Sequence, residues 1–424
     1  MERGDISMWR AMLRFLVGVA VACSGAAHAT AVGTGPAPGT PPVRASTAFV
    51  ELDATRYEEQ FAQAAARLHA AQAVFEQGGF SVQTLRITTQ PYMHYVGALG
   101  RARALALLAR LEELGKTNNV LVDIGPAVLD DRPDPQALEI LAAVHGRAAQ
   151  LDASMIIAAA DGIHWHTVRA AAHHVWQVAA TSPRSQGTFS FAATAMLAQG
   201  SPFFPGSWHQ GNDGRFSVGL QSASVVTEVF GRTHGDAPRA IGELAAALGG
   251  YAQRVERLAQ QVEARTLEIL GLRQHARTTE GRFDRNGDRS LRAAILGSPG
   301  SLTAAYVITE AQRRIPGARV GYAGLMLPVL EDTRIAQRWS EGAIGVDSLL
   351  AYSAVCGTGL DTVPLPGDVT EAQLARIIGD VAVLAHRWHK PLTARLQPVH
   401  GRSAGEMSAF DDSFMVNAKL QPLR

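Results

Sequence analysis

Cysteine and lysine are scarce in this sequence, and several common motifs are missing. The 424 residues include two cysteines and three lysines, and the formal net charge is +1. No dense run of basic residues occurs, so the electrostatic footprint of a nucleic-acid-binding protein is missing. The sequence also has no P-loop, no Gly-x-Gly-x-x-Gly opening a helix, no Gly-x-Ser-x-Gly elbow and no Cys-x-x-Cys pair. Nucleotide-binding, hydrolase-elbow and thioredoxin-like functions therefore have no support.

The first 29 residues have the pattern of a signal peptide. Arg10 and Arg14 form the positive flank of the short apolar run "FLVGVAVACSGAA", and the Ala-His-Ala triplet that ends at Ala29 fits a small-x-small cleavage site. The run is too short to span a bilayer comfortably. We predict cleavage between Ala29 and Thr30 and a periplasmic or secreted protein. A lipoprotein modified at Cys23 ranks second, because the usual leucine three positions before that cysteine is absent.

Cleavage would leave a neutral chain with a single thiol. It removes three arginines, two acidic residues and Cys23. A neutral chain is not expected to be steered by a membrane surface or a polyanion. The predicted partner is an unknown small molecule, with no nucleic acid and no membrane, and homo-oligomerisation is left open. Cys356 then cannot form an intramolecular disulfide, and a buried small side chain is favoured over a reactive thiol.

The rest of the chain alternates strand and helix patterns. Pro, Gly and Ala dominate residues 30–46, which indicates a flexible linker before a single folded domain, 47–424. The predicted helices cover residues 57–77, 100–114, 135–151, 236–272, 301–314 and 370–387. The predicted strands cover residues 80–89, 118–125, 153–161, 174–182, 215–223, 391–399 and 414–420. This alternation is typical of an α/β fold with parallel strands, in which clefts form at the carboxyl ends of the strands.

Loops predicted at those carboxyl ends contain the residues most suited to chemistry. They are Arg86 in "RITTQP", His209 in "SPFFPGSWHQG", and Cys356, Gly357, Gly359 and Asp361 in "CGTGLDTVP". The two glycines permit a close backbone approach to a ligand. Anchoring of the aromatic residues in the core is an equally good interpretation of the second loop.

Two further stretches contain potential metal ligands, but neither stretch supplies the full set that a metal site needs. "FDRNGDRSL" has Arg289 where a calcium loop needs glycine and Ile295 where it needs glutamate, so a polar loop containing Asp288 and Ser290 is the better interpretation. "GIHWHTVRAAAHHVW" contains four histidines, but zinc requires three or four ligands that converge. We therefore predict neither a metal nor a cofactor.

Five stretches resemble the bacterial and archaeal family called domain of unknown function 711. They are "VQTLRITTQP" (82–91), "SPFFPGSWH" (201–209), "GRFDRNGDRSL" (281–291), "YAGLMLPVLED" (322–332) and "AVCGTGLDTVPLPGD" (354–368). They occur in the family's order and span nearly the whole predicted domain. The family has no established activity. The resemblance implies a ten-stranded α/β barrel similar to that of pyruvate formate-lyase and other glycyl radical enzymes.

The resemblance does not carry radical chemistry to this chain. Glycyl radical enzymes use an Arg-Val-x-Gly-Tyr loop that follows their cysteine. Here the corresponding stretch, 319–322, is one residue shorter and precedes Cys356. A shared fold does not by itself imply a shared function.

We expect a site for a small polar metabolite at the mouth of the barrel. In an enzymatic hypothesis, Asp361 or His209 handles protons and Cys356 is a nucleophile or part of the wall. Backbone amides near Gly357 and Gly359 would hold an anion. The other expected ligand contacts are Arg86, Asp288 and Ser290. A non-catalytic periplasmic binding protein and an interaction scaffold are the alternatives.

Overall fold

A computed structural model describes residues 40–211, 216–262, 267–273, 296–317 and 320–423. All of them belong to one compact unit, Pro36–Arg424. The predicted signal peptide, the first part of the predicted linker, and the loop with Asp288 and Ser290 lie outside the described residues. Within the described ranges, no helix combines the length and the apolar character needed to cross a bilayer.

Short apolar segments between turn residues form the strands, as strands covered on both faces require. In the described ranges they are β1 (Val43–Val50), β2 (Leu85–Thr89), β3 (Val120–Val128), β4 (Leu151–Ala159), β5 (Gly162–Ile163), β6 (Phe191–Ala195), β7 (Phe216–Gln221), β8 (Leu267–Arg273), β9 (Gly359–Pro366) and β10 (Leu392–Val399). Every residue of β2, β6, β9 and β10 is buried. The first strand starts inside the predicted linker, because Val43 and Ala45 are already fully buried.

The helices alternate with the strands, and polar side chains fix where several of them begin. In the described ranges they are α1 (Tyr57–Gln77), α2 (Met93–Val96), α3 (Arg101–Asn118), α4 (Pro135–His145), α5 (Trp165–Thr181), α6 (Ala223–Thr233), α7 (Ala237–Gln260), α8 (Ser301–Arg313), α9 (Thr333–Ser340), α10 (Val346–Ser353) and α11 (Glu371–Trp388). Asp134, Asp236 and Asp332 accept backbone N–H bonds at the start of α4, α7 and α9, and Thr370 does so for α11. Such caps satisfy N–H groups that a helix leaves unpaired at its first turn.

Two predicted strands are wrong. Residues 174–182 were expected to be extended, but most of them belong to α5, where Ala171, Val175 and Val178 recur at helical spacing and are buried. The helical period is hard to see in the sequence, because both faces of this part of α5 contain small or apolar residues. Residues 414–420 contribute only an isolated bridge, between Met407 and Lys419. The long helical prediction over 236–272 also ends early, at Gln260, and is followed by β8.

Nine strands form one path of hydrogen-bonded neighbours, in the order β8-β7-β1-β2-β3-β4-β6-β10-β9, and β5 pairs with β4 beside it. The central strands β1, β2, β3, β4 and β6 are parallel. At one end of this parallel group, β7 pairs with β1 in the antiparallel direction, and β8 runs parallel to β7. At the other end, β10 pairs with β6 in the antiparallel direction, and β9 runs parallel to β10. The mixed α/β fold is thus confirmed. In the described part of the chain no pairing joins β8 to β9, so the closed ten-stranded barrel is not confirmed.

The segment after β6, residues 196–211, folds back into the interior of the sheet, and we call it the insertion loop. The backbone N–H groups of Gly206 and Ser207 each donate to Oδ2 of Asp123 on β3, at 3.0 Å. The hydroxyl groups of Ser207 and Thr88 on β2 lie 2.6 Å apart. Thr88 is the fourth of five residues in β2, and its register partner Asp123 lies in the first half of β3. The insertion loop therefore fills interior space on the carboxyl-terminal side of Arg86, where the ligand was expected.

Gly357 and Gly359 have packing explanations that need no ligand. A Cβ atom on Gly357 would lie 2.7 Å from Cα of Gly324, so two backbone segments pass in direct contact. Gly359 has a φ of +98°, in the region that favours glycine. A Cβ atom there would lie 2.8 Å from the backbone nitrogen of Thr393 and would overlap its carbonyl oxygen. The chain therefore needs glycine here to pair β9 with β10.

Replacing Gly359 with alanine should destabilise the protein strongly. The substitution combines a positive φ with a clash against Thr393, and we expect a loss on the order of 3 kcal/mol in the free energy of unfolding. Gly401→Ala is the matched control, since Gly401 has a φ of +75° with no neighbouring atom within 4 Å. It should cost about 1 kcal/mol, from the backbone conformation alone. Urea unfolding measures both, and equal losses would contradict the proposed clash.

Candidate functional site

Charged side chains meet in the buried interior of the protein, against the sheet. Nη1 of Arg395 on β10 donates to Oδ1 of Asp361 on β9 (2.8 Å) and to Oε1 of Glu331 (2.9 Å). Nη2 of the same guanidinium donates to the carbonyl oxygen of Phe189 (3.0 Å). Arg44 on β1 approaches the other oxygen of Glu331, at 3.9 Å. These contacts connect three strands and the turn before α9 through one buried cluster.

The opposite charges of this cluster stabilise one another. Burial opposes the positive charge of Arg395, but the nearby carboxylates of Asp361 and Glu331 outweigh that effect and raise the pKa of the guanidinium. Arg395 is 4% exposed and Asp361 is 3% exposed. The cluster is therefore a buried salt-bridge network centred on Arg395.

A cavity of about 260 Å³ lies beside this network, and we call it the Arg86 cavity. Arg86 on β2, Asp152 on β4 and Arg395 contribute charged walls, while Phe189 and Phe204 contribute apolar ones. Its volume is close to the lower end of the range for small-molecule sites, which also combine apolar walls with a few convergent polar groups.

The Arg86 cavity lies at the amino ends of the parallel strands. Thr84 and Gln150, which line it, directly precede β2 and β4, and Leu121 and Asp152 are the second residues of β3 and β4. The site was expected at the carboxyl ends, where parallel α/β folds usually bind their ligands. The insertion loop explains this difference, since it occupies the interior on that side.

Arg86 is held rigidly on the cavity wall. Its Nε donates to Oγ1 of Thr84 (3.1 Å), and its Nη1 donates to the carbonyl oxygen of Pro202 (2.9 Å). The guanidinium carbon lies 4.8 Å from the ring centre of Phe204, a cation–π contact with the insertion loop. Of the residues expected to contact a ligand, Arg86 is one that does line this cavity.

Asp152 is one of four carboxyl groups that line the cavity, with Glu331, Asp411 and Asp412. It is half-buried, and burial raises its pKa to about 7, although Arg395 and Arg86 oppose the shift. A group with such a pKa can both donate and accept a proton near neutral pH. Burial, and then the charge of Asp152, also raise the pKa of Asp123 well above its usual range.

Cys356 is buried and is not part of the Arg86 cavity. Burial raises the pKa of its thiol, although Lys390 opposes that effect. Nζ of Lys390 donates to the carbonyl oxygen of Ser353 (2.7 Å), and burial lowers the pKa of this amine to about 8. The geometry thus favours a neutral, packed thiol and gives no support to the predicted nucleophile.

The other predicted residues are distributed over separate places. His209 is fully buried, with its ring 5.7 Å from that of Phe49, outside the Arg86 cavity. Asp361 lines a small void of about 20 Å³, enough for roughly one water molecule. It is connected to the Arg86 cavity through Arg395, which lines both spaces. The structure therefore brings Arg86 and Asp361 to one charged interior but leaves His209 apart.

The clustered histidines have different partners. The contacts are His164 with Asp161 (3.0 Å), His166 with Asp131 (2.9 Å), His173 with Glu371 (3.0 Å) and His174 with His145 (3.0 Å). Nε2 of His145 also lies 3.0 Å from the carbonyl oxygen of Leu151. Burial lowers the pKa of His145 to about 4 and also lowers the pKa of His174. Among the residues that the structure describes, no three potential ligands form a metal site.

Sequence reasoning missed Asp152, Glu331 and Arg395. Two of them carried a usable signal, because each is a charged residue within a strand that is otherwise apolar or uncharged, "LDASMIIAAA" and "LTARLQPV". A charge in a strand covered on both faces must be paired or face a polar interior. Glu331 lies in a short turn, Val329–Glu331, and carried no such signal.

The chain belongs to the family described as Uncharacterised ACR (DUF711), whose model matches residues 42–276 and 289–412. A UPF0210 protein from Pyrobaculum arsenaticum is 30% identical over 364 residues, which cover 80% of this chain and 78% of the relative. A UPF0210 protein from Desulforudis audaxviator is 28% identical over 358 residues, covering 78% and 77%. The family resemblance expected from the five stretches is thus confirmed.

One solved structure with a similar course of the chain is the anaerobic ribonucleotide reductase from Thermotoga maritima, in complex with dATP and CTP. The match covers 89% of this chain and 79% of that chain, with a TM-score of 0.39 and 9% sequence identity. A likeness of this degree carries no argument about activity.

Asp152 should make the stability of the protein depend on pH. Its pKa in the folded state, about 7, lies above the unfolded value of about 3.9, so the folded protein holds the extra proton between these values. Stability should therefore fall as pH rises toward 7. We expect the difference in unfolding free energy between the wild type and Asp152→Asn to change by up to about 1.4 kcal/mol per pH unit in that window.

Urea unfolding at pH 5, 6, 7 and 8 measures this difference, and Asp368→Asn is the control because Asp368 is an exposed acid. Asp368→Asn should follow the wild-type profile. Parallel profiles for the wild type and Asp152→Asn would show that Asp152 does not titrate in this range.

Proposed function

We propose that the protein binds a small polar metabolite with an anionic group in the Arg86 cavity. The supporting observation is a buried guanidinium and a half-buried, titratable carboxyl group on the walls of the same cavity. Opposite charges that line one small concave space are suited to a ligand that carries both an acidic group and a hydrogen-bond donor.

The wall chemistry defines the ligand further. A guanidinium binds a carboxylate or phosphate through two parallel N–H bonds, and Arg86 is already oriented by Thr84, Pro202 and Phe204. Asp152 would accept a hydrogen bond from a hydroxyl or amino group of the same ligand. Hydroxy acids and amino acids of low mass combine these groups.

The same site supports either turnover or simple binding. In the enzymatic version, Asp152 handles the proton, since its pKa lies near the pH at which most proteins work. In the alternative, the protein is a binding protein that leaves its ligand unchanged. NMR spectra of the bound acid over hours separate them, because only turnover changes the signals of the ligand.

Two further parts of the proposal concern architecture and location. We propose that the sheet closes into the ten-stranded barrel that the family resemblance implies. Side chains from β1, β2, β4, β9 and β10 that meet around one interior support this closure. We also propose export to the periplasm or the medium, which is supported by the signal-peptide pattern of residues 1–29.

Ligand binding should depend on Arg86. We expect a screen of small hydroxy acids, amino acids and phosphate esters to include acids that raise Tm, and calorimetry to give their affinities. Arg86→Gln removes the charge and Arg86→Lys removes the planar pair of donors, so both should weaken binding at least about tenfold, which corresponds to about 1.4 kcal/mol.

Arg56→Gln is the control, since Arg56 is exposed and paired with Glu59 on the surface. Arg86 also holds Pro202, so Ser190→Ala provides a second variant of the cavity wall that leaves the insertion loop in place. If no acid raises Tm, or if acids bind all of these variants as well as the wild type, the proposed site is wrong.

Export should produce a shortened chain that begins at Thr30. The full-length protein, expressed in a bacterial host and recovered from the periplasm or medium, should give this residue by N-terminal sequencing. Val19→Arg places a charge in the apolar run and should prevent cleavage. An uncleaved wild-type chain that stays in the cytoplasm would contradict export.

A further inference from the structure

A second cavity, of about 320 Å³, adjoins the Arg86 cavity, and we call it the Lys116 cavity. The two cavities share the lining residues Thr84, Leu121, Gln150 and Phe414. They therefore lie side by side at the amino ends of β2, β3 and β4.

Phe414 is presented at this boundary rather than packed away. It is 46% exposed and lines both cavities. The chain on either side is fixed, because the carbonyl oxygen of Asp411 accepts a bond from Gln186 and the backbone N–H of Val416 donates to Leu330 (2.7 Å). These bonds position the backbone around residue 414, and Phe414 remains 46% exposed.

The far wall of the Lys116 cavity is polar. Lys116 lies 2.7 Å from Glu112, and Arg147 lies 3.2 Å from the same carboxylate. Glu112 also accepts the backbone N–H of Gln150, at the shared boundary. Leu121 gives the near wall an apolar portion. A flat ring with one polar edge fits this combination better than a fully charged group.

We propose that the ligand of this protein is an aromatic amino or hydroxy acid, whose carboxylate contacts Arg86 and whose ring stacks on Phe414 and enters the Lys116 cavity. The proposal rests on the proposed binding function and specifies its ligand class. Phe414 is then the residue that determines specificity for a ring, while Arg86 and Asp152 recognise the acidic head. The Arg86 cavity has room for the acidic group of such a ligand, and the Lys116 cavity has room for its aromatic ring.

Matched pairs of probes isolate the contribution of the ring. Alanine and phenylalanine share one head group, and lactate and 3-phenyllactate share another, so each pair differs only by the ring. Offset stacking between two aromatic rings adds to the burial of apolar area. For the full-length wild-type protein we expect calorimetry to show at least tenfold tighter binding of the aromatic member of one pair, at pH 6 and again at pH 8.

Phe414→Ala should remove this preference by lowering the affinity for the aromatic member to that for the small member. Phe414→Tyr should retain it, because the ring face remains. Leu302→Ala is the control, since Leu302 is an exposed apolar residue on α8 with the same 46% exposure. It should bind all four probes as the wild type does.

The outcomes separate the two proposals. If small and aromatic acids bind equally and Phe414→Ala changes nothing, the aromatic ligand class is wrong and the Arg86 site stands. If aromatic acids bind more tightly but Arg86→Gln has no effect, the ring is recognised elsewhere and both proposals fail for this cavity. If none of the four probes binds, the ligand class is wrong, and the wider screen of acids decides whether the Arg86 site also fails.

Discussion

The ion pairs of Arg395 are the interaction on which the interior of this protein depends. One guanidinium donates hydrogen bonds to two carboxylates, Asp361 and Glu331, and to the carbonyl oxygen of Phe189. Removal of one partner from a buried pair usually costs 3–5 kcal/mol, roughly, because the remaining charge is left without compensation. Arg395 also forms part of the wall of the Arg86 cavity, so the same contact that joins β9 to β10 shapes the space for a ligand.

The insertion loop determines which end of the sheet is open. Asp123 accepts backbone N–H bonds from Gly125, Gly206 and Ser207, so one carboxyl group holds the insertion loop against its own strand, β3. The insertion loop and a ligand cannot both occupy the same space beside the strands. Since the loop fills the carboxyl side, the charged residues near the amino ends of β2 and β4 line the available space.

Local pattern in the sequence predicted most elements but not their assembly. The helix over 57–77 and the strands at β4, β7 and β10 follow directly from periodicity and turn residues. Arg86 and Asp361 were expected at one rim, and they do share one interior, but through Arg395, whose role depends on strand order. The position of the insertion loop rests on contacts between residues 83 positions apart, such as Gly206 and Asp123, which no local pattern encodes.

The buried pair of His145 and His174 has a fixed direction of hydrogen bonding. A carbonyl oxygen can only accept, so Nε2 of His145 must carry the proton that it gives to Leu151. In the neutral ring Nδ1 is then an acceptor, and Nε2 of His174 must be the donor across the 3.0 Å contact. Neither ring can exchange its tautomer alone. The hydrogen bonds therefore run in one direction, from His174 on α5 through His145 at the end of α4 to the carbonyl oxygen of Leu151, the first residue of β4.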